Sequence, residues 1–169
     1  YSAVEVNYYF QNVYQNFVNQ NYYYLSYMGL DASSDLRDQT YSDDQSWFDY
    51  FMEQTTQEMI QIQALNDAAA EEGFAWTDEM QAELDSSLES LASTAASSNV
   101  TATQYLRIVY GGGMTEKLYQ ELVQKAILAN AYAEAYQDTL TYSTEELEAA
   151  YQENPNNYDK VAYEYVRVD

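Results

Sequence analysis

Residues 46–72 read SWFDYFMEQTTQEMIQIQALNDAAAEE, and their spacing decides the fold class. Phe48, Phe51, Met52, Thr55, Met59, Ile62 and Leu65 recur at steps of three and four, which places them on one face of a helix. The period is 3.6 rather than 2, and Gly73 stands where a helix of that length should stop.

The same pattern extends in both directions. Towards the N-terminus, Phe10, Tyr14, Phe17, Asn21, Tyr24 and Met28 predict a helix over Val4 to Met28, with Val6, Val13 and Leu25 widening its apolar face and Gly29 as its stop. Asp31 to Asp44 is polar and rich in Ser and Asp, the composition of a loop. Towards the C-terminus, Thr77 is the N-cap of a third helix with Asp78 and Glu79 in its first turn, where acids suit the helix dipole. Its stripe is Met80, Leu84, Leu88 and Leu91, and Ser93 to Asn99 reads as a small-residue loop.

Thr101 and Gln104 have capping-box spacing and open a short helix through Tyr110. Gly111, Gly112 and Gly113 break the chain, and Thr115 caps a helix to about Leu140 with Tyr119, Leu122, Ala126, Ala129, Ala133, Tyr136 and Leu140 on one face. Ser143 and Glu146 form another capping box, for a helix that ends before Pro155. Val161 to Val168 alternates with period two and reads as a strand, which needs a partner to be stable. The expected architecture is mostly α: an irregular multi-helix domain over residues 1–160, with a short C-terminal strand over 161–169 leading into a following domain. The absence of an initial Met and the end at Asp169 within the alternating stretch suggest a piece of a longer protein.

Composition narrows the function. With 28 acidic and 6 basic residues the net charge is −22, and such a surface repels phosphate backbones and anionic headgroups. Nucleic acid is therefore not an expected partner. Acidic chains are often disordered, but 47% hydrophobic and 16% aromatic content supplies a core. Neither Cys nor His occurs, which excludes disulfides, thiol nucleophiles, a Ser-His-Asp triad and a Cys/His zinc site. The triple glycine lacks the Gly-Lys-Ser/Thr of a phosphate loop, and Asp43–Asp44 and Glu71–Glu72 lack the spacing of a calcium loop. No catalytic residue and no cofactor is expected from this chain. A hydrolase using paired carboxylates is a third-ranked reading, dependent on a cleft that holds two acids at a defined separation.

The 20 tyrosines carry more information. Tyr8, Tyr9, Tyr22, Tyr23 and Tyr24 point in different directions around one helix, so some of them must face solvent or a partner. Local aromatic density marks Tyr22, Tyr23, Tyr24, Tyr27, Met28, Trp47 and Trp76 as candidate peptide-binding residues. The bland alternative is that these rings cover a thin core or contact a missing domain.

Several stretches together resemble the N-terminal chaperone region of extracytoplasmic foldases of the SurA and PrsA type, the parvulin-linked peptidyl-prolyl isomerases. Ser2 to Tyr9 looks like the start of that family's first helix. Ala68 to Glu79 (AAAEEGFAWTDE) resembles its helix, glycine, apolar residue and next helix cap, and Met114 to Leu118 resembles the step from a glycine through a short cap into a long helix. Ser143 to Tyr158 (STEELEAAYQENPNNY) looks like the helix that returns before the isomerase domain, and Val161 to Val168 like the strand leading into it. The resemblance implies export, an anchored location at a bacterial cell surface with the anchor outside this chain, and a cradle for unfolded polypeptide. Any isomerase activity would lie beyond Asp169. The alternative is a non-catalytic surface or adhesion module whose tyrosine-rich face binds a folded partner or a second copy of the chain.

Overall fold

Each helix begins where a short polar side chain can accept the first free backbone N–H groups. In the computed structural model, which describes residues 1–157 and Asp159, Ser2, Ser46, Thr101 and Ser143 each form a reciprocal capping box with the residue three places on. Thr77 Oγ1 accepts from Met80 N, and Thr115 Oγ1 accepts from Leu118 N. The resulting elements are α1 (Ala3–Gln20), a hairpin of β1 (Thr40–Ser42) and β2 (Gln45–Ser46), α2 (Trp47–Glu71), α3 (Asp78–Ser97), α4 (Ala102–Tyr110), α5 (Glu116–Thr139) and α6 (Thr144–Glu153). The protein is mostly α.

The chain forms two compact units, Tyr1–Glu134 and Ala135–Asp169. In the first, α1 and α2 run antiparallel. Phe10 and Phe17 meet Trp47, Phe48 and Phe51 near the start of α2, and Val4 packs with Met59 and Ile62 farther along it. Leu91, Leu106, Met114 and Leu122 join α3, α4 and α5 to Tyr8 and Tyr9. Met80 and Leu84 of α3 pack on Val123 and Ile127 of α5. Asn66 Nδ2 donates to the carbonyls of Ile62 and Lys125, joining α2 to α5. Each fully buried Leu or Phe of this kind contributes roughly 1.5–3 kcal/mol. The second unit holds the end of α5 and the whole of α6, none of whose residues is buried; Leu147 and Tyr142 are exposed.

Several expectations are corrected. The first helix ends at Gln20 rather than Met28, so Tyr24 and Met28 do not extend its buried face. Asn21 donates from both its backbone N–H and its side chain to the Phe17 carbonyl, and the chain turns there. Leu25 and Leu30 then tuck into the core while Tyr22, Tyr23, Tyr24 and Tyr27 point out. Gly29, at φ +75°, closes this turn segment rather than the helix, with Leu30 N–H donating to the Leu25 carbonyl. The third helix runs on to Ser97, and Ala95 in its last turns is 1% exposed, so the small residues read as a loop continue the helix's buried face. The Asp31–Asp44 stretch contains a 3-10 turn (Leu36–Asp38) and the first strand of the hairpin, and Gln39 ties it together: its side chain accepts from Asp31 N–H and donates to the Asp31, Ser34 and Asp35 carbonyls. The expected boundary at Lys160 and the Val161–Val168 strand lie outside the described residues.

Candidate functional site

The candidate binding residues do not form one surface. Tyr22, Tyr23, Tyr24 and Tyr27 are 64–91% exposed and, with Met28, form an aromatic shelf beyond the end of α1. Tyr22 and Tyr23 meet edge to face at 5.5 Å. The shelf is held from beneath by Leu25 and Leu30.

Trp47, expected at the binding surface, is instead 1% exposed and belongs to the core. It is the first residue of α2, and that position turns its ring inward against Phe17 at 5.5 Å and Phe51 at 5.6 Å. Local aromatic density cannot separate a buried ring from an exposed one, because both occur beside other aromatics. Trp76 is at the border of exposure and donates from Nε1 to Gln81 Oε1 at 3.1 Å. It lines a cleft of ≈ 410 Å³ with Asn66, Lys125 and Leu128. That cleft lies beside the C-terminal turns of α2, a helix of 25 residues and therefore about 37 Å long.

The structure adds a site that the aromatic clusters do not announce. A groove of ≈ 820 Å³ runs along α1 between that helix, the 3-10 turn and α2. Its apolar wall is Val6, Phe10, Tyr14, Leu36, Phe48 and Met52, and Asn7, Gln11, Ser34, Asp35 and Arg37 supply polar groups. Its volume lies in the range of small-molecule and peptide side-chain pockets. The Arg37 guanidinium carbon sits 3.8 Å from the centre of the Phe48 ring, a cation–π contact, and its Nη1 lies 3.8 Å from Asp35 Oδ1. One sequence signal bears on this site: from Val6 to Leu30 no Asp, Glu, Lys or Arg occurs, although the chain is a fifth charged. An uncharged, Tyr- and Asn-rich stretch is well suited to adaptable contact surfaces.

A tyrosine cluster joins α1, which forms one wall of the groove, to α4 and α5. Tyr8 lies 5.1 Å from Tyr110 and 5.9 Å from Tyr119, and Tyr110 donates to Asn12 Oδ1 at 3.2 Å. Burial, followed by the neighbouring Tyr119, pushes the Tyr8 and Tyr110 hydroxyls well above the usual phenol range. Burial pushes Tyr9 up to about 12. Burial likewise raises the Glu58 carboxyl, which faces Tyr8 and Tyr9. Among the described residues no group of three or more acids is placed to hold a metal ion, and no helix is long and apolar enough to cross a membrane. Comparison with protein-family models, curated proteins and solved structures found no match.

Proposed function

We propose that this chain is the polypeptide-holding segment of an extracytoplasmic foldase, binding unfolded or extended clients without catalysing a reaction itself. The observation that carries this reading is the open apolar groove along α1, lined by Val6, Phe10, Tyr14, Leu36, Phe48 and Met52. A concave apolar surface with a few polar groups suits side chains of an extended client. The Tyr22–Met28 shelf adds large, partly polar rings that bury area at low conformational cost. The net charge of −22 keeps a complex soluble while its apolar segments are held. The family resemblance supports the extracytoplasmic placement and an anchor outside the chain.

Light scattering during dilution of a chemically unfolded test protein checks the holding role. Suppression of aggregation at a few-fold molar excess is expected, and no suppression at large excess overturns the proposal. A surface or adhesion module is the second reading, favoured by the exposed tyrosine shelf alone. Under it, sedimentation would show a tight dimer that Tyr23→Ala with Tyr27→Ala dissociates.

A further inference from the structure

The inference rests on the holding role and concerns which clients the groove selects. The α1 wall of the groove is uncharged, whereas the segment that follows it brings exposed carboxylates at Asp35, Asp38, Asp43, Asp44, Asp49 and Glu53. In that segment Arg37 is the single basic residue, and it occupies the groove wall. Its side chain and that of Asp35 are 64% and 58% exposed, so their contact exchanges readily with solvent or with another cation. The groove therefore already displays a pattern of recognition: a cation on the Phe48 face, beside a carboxylate, next to an apolar trough.

We propose that the groove selects polypeptide segments whose apolar residues are flanked by Lys or Arg, and that a client's cation replaces Arg37 on the Phe48 ring. Charge complementarity carries the choice of occupant. An acidic client meets a chain of net charge −22 and the Asp35 carboxylate in the groove wall, whereas a basic one is attracted during encounter and gains the aromatic face on docking. Once Arg37 is displaced, its guanidinium remains solvated, because its side chain is already mostly in water.

Fluorescence anisotropy with three labelled peptides tests the proposal on the full chain. The peptides share the core Leu-Phe-Val-Phe-Leu and carry pairs of Lys, Ser or Glu at both ends. At low salt the Lys peptide should bind about tenfold tighter than the Glu peptide, and the gap should shrink at about 0.5 M salt, where the screening length falls to a few ångströms. Arg37→Gln should tighten the Lys peptide about threefold and leave the Ser peptide unchanged. Phe48→Ala should weaken the Lys peptide. Equal binding of all three peptides overturns the selectivity and leaves the holding role standing, and binding of none overturns both. Weaker binding of the Lys peptide by Arg37→Gln, or unchanged binding by Phe48→Ala, overturns the assignment of the groove.

Discussion

The side-chain amide of Asn7 donates to the backbone carbonyl of Tyr110 at 2.9 Å, across 103 residues of sequence. Tyr110 is the last residue of α4, so its carbonyl has no partner within the helix, and Asn7 supplies one. The Tyr110 hydroxyl is held by Asn12, so two asparagines of α1 fix both ends of one tyrosine. Asn7 also lines the groove. Asn7 therefore both faces the candidate site and helps set how α1 sits on α4.

Asn7→Ala is expected to destabilise the protein by about 1–2 kcal/mol, because a partly buried carbonyl loses its donor. Asn7→Asp should cost more, since a carboxylate would face that carbonyl. Urea unfolding followed by far-UV circular dichroism measures both, and an Asp variant as stable as the wild type would show that this hydrogen bond contributes nothing.

The two tryptophans should separate by fluorescence. With Trp76→Phe, the remaining emission comes from Trp47 in the core and should be blue-shifted and resistant to acrylamide. Trp47→Ala should cost about 3–5 kcal/mol, and Trp76→Ala about 1 kcal/mol or less. Efficient quenching of Trp47 in the folded protein would contradict its burial.

Replacing Tyr23 and Tyr27 together by Ala should change stability by less than about 0.5 kcal/mol each, because both side chains are mostly in water. The same double variant should bind unfolded polypeptide several-fold more weakly if the shelf assists the groove. Isothermal titration with a non-aggregating unfolded client, alongside thermal melting, reads the two effects separately.

Stability should depend on pH in both acid and alkali. Hydrogen bonds from Ser33 and Ser34 hold the Asp31 carboxyl at about 2, and the Ser2, Ser46 and Ser143 caps lower Glu5, Asp49 and Glu146. A lowered carboxyl contributes stability above its unfolded value near pH 4, and that stability is lost as pH falls towards 2. Glu58 acts in the opposite sense. Its raised folded value favours the protonated form, so acidification from neutral pH towards the ordinary carboxylate value should stabilise the fold, helped by weaker self-repulsion. In alkali, Tyr8, Tyr9 and Tyr110 hold their protons in the fold above the unfolded value near 10. Their contribution is present below pH 10 and lost as pH rises through the folded values, so tyrosinate absorbance from this cluster should grow together with loss of helix. Thermal melts from pH 3 to 11 test both limbs, and a Glu58→Gln variant no more stable than the parent chain at pH 7 would contradict the role given to Glu58.

The helices were legible because their determinants are local. Phe51, Thr55 and Met59 share a face through spacing alone, and Ser143 and Glu146 are close enough in sequence to cap one another before any tertiary contact forms. Where local rules compete, the local pattern misleads: Tyr22, Tyr23 and Tyr24 continue a helical spacing, but three adjacent rings cannot all reach one core, and the chain turns at Asn21 instead. The groove and the buried place of Trp47 depend on contacts between residues far apart in the chain, such as Phe10 with Phe48 and Phe17 with Trp47. By itself the sequence determined a cysteine- and histidine-free, acidic, mostly helical chain rich in tyrosine. Only the tertiary structure decided which rings face water, because burial is set by the packing of α1 against α2, and that packing is not written in the neighbours of any single ring.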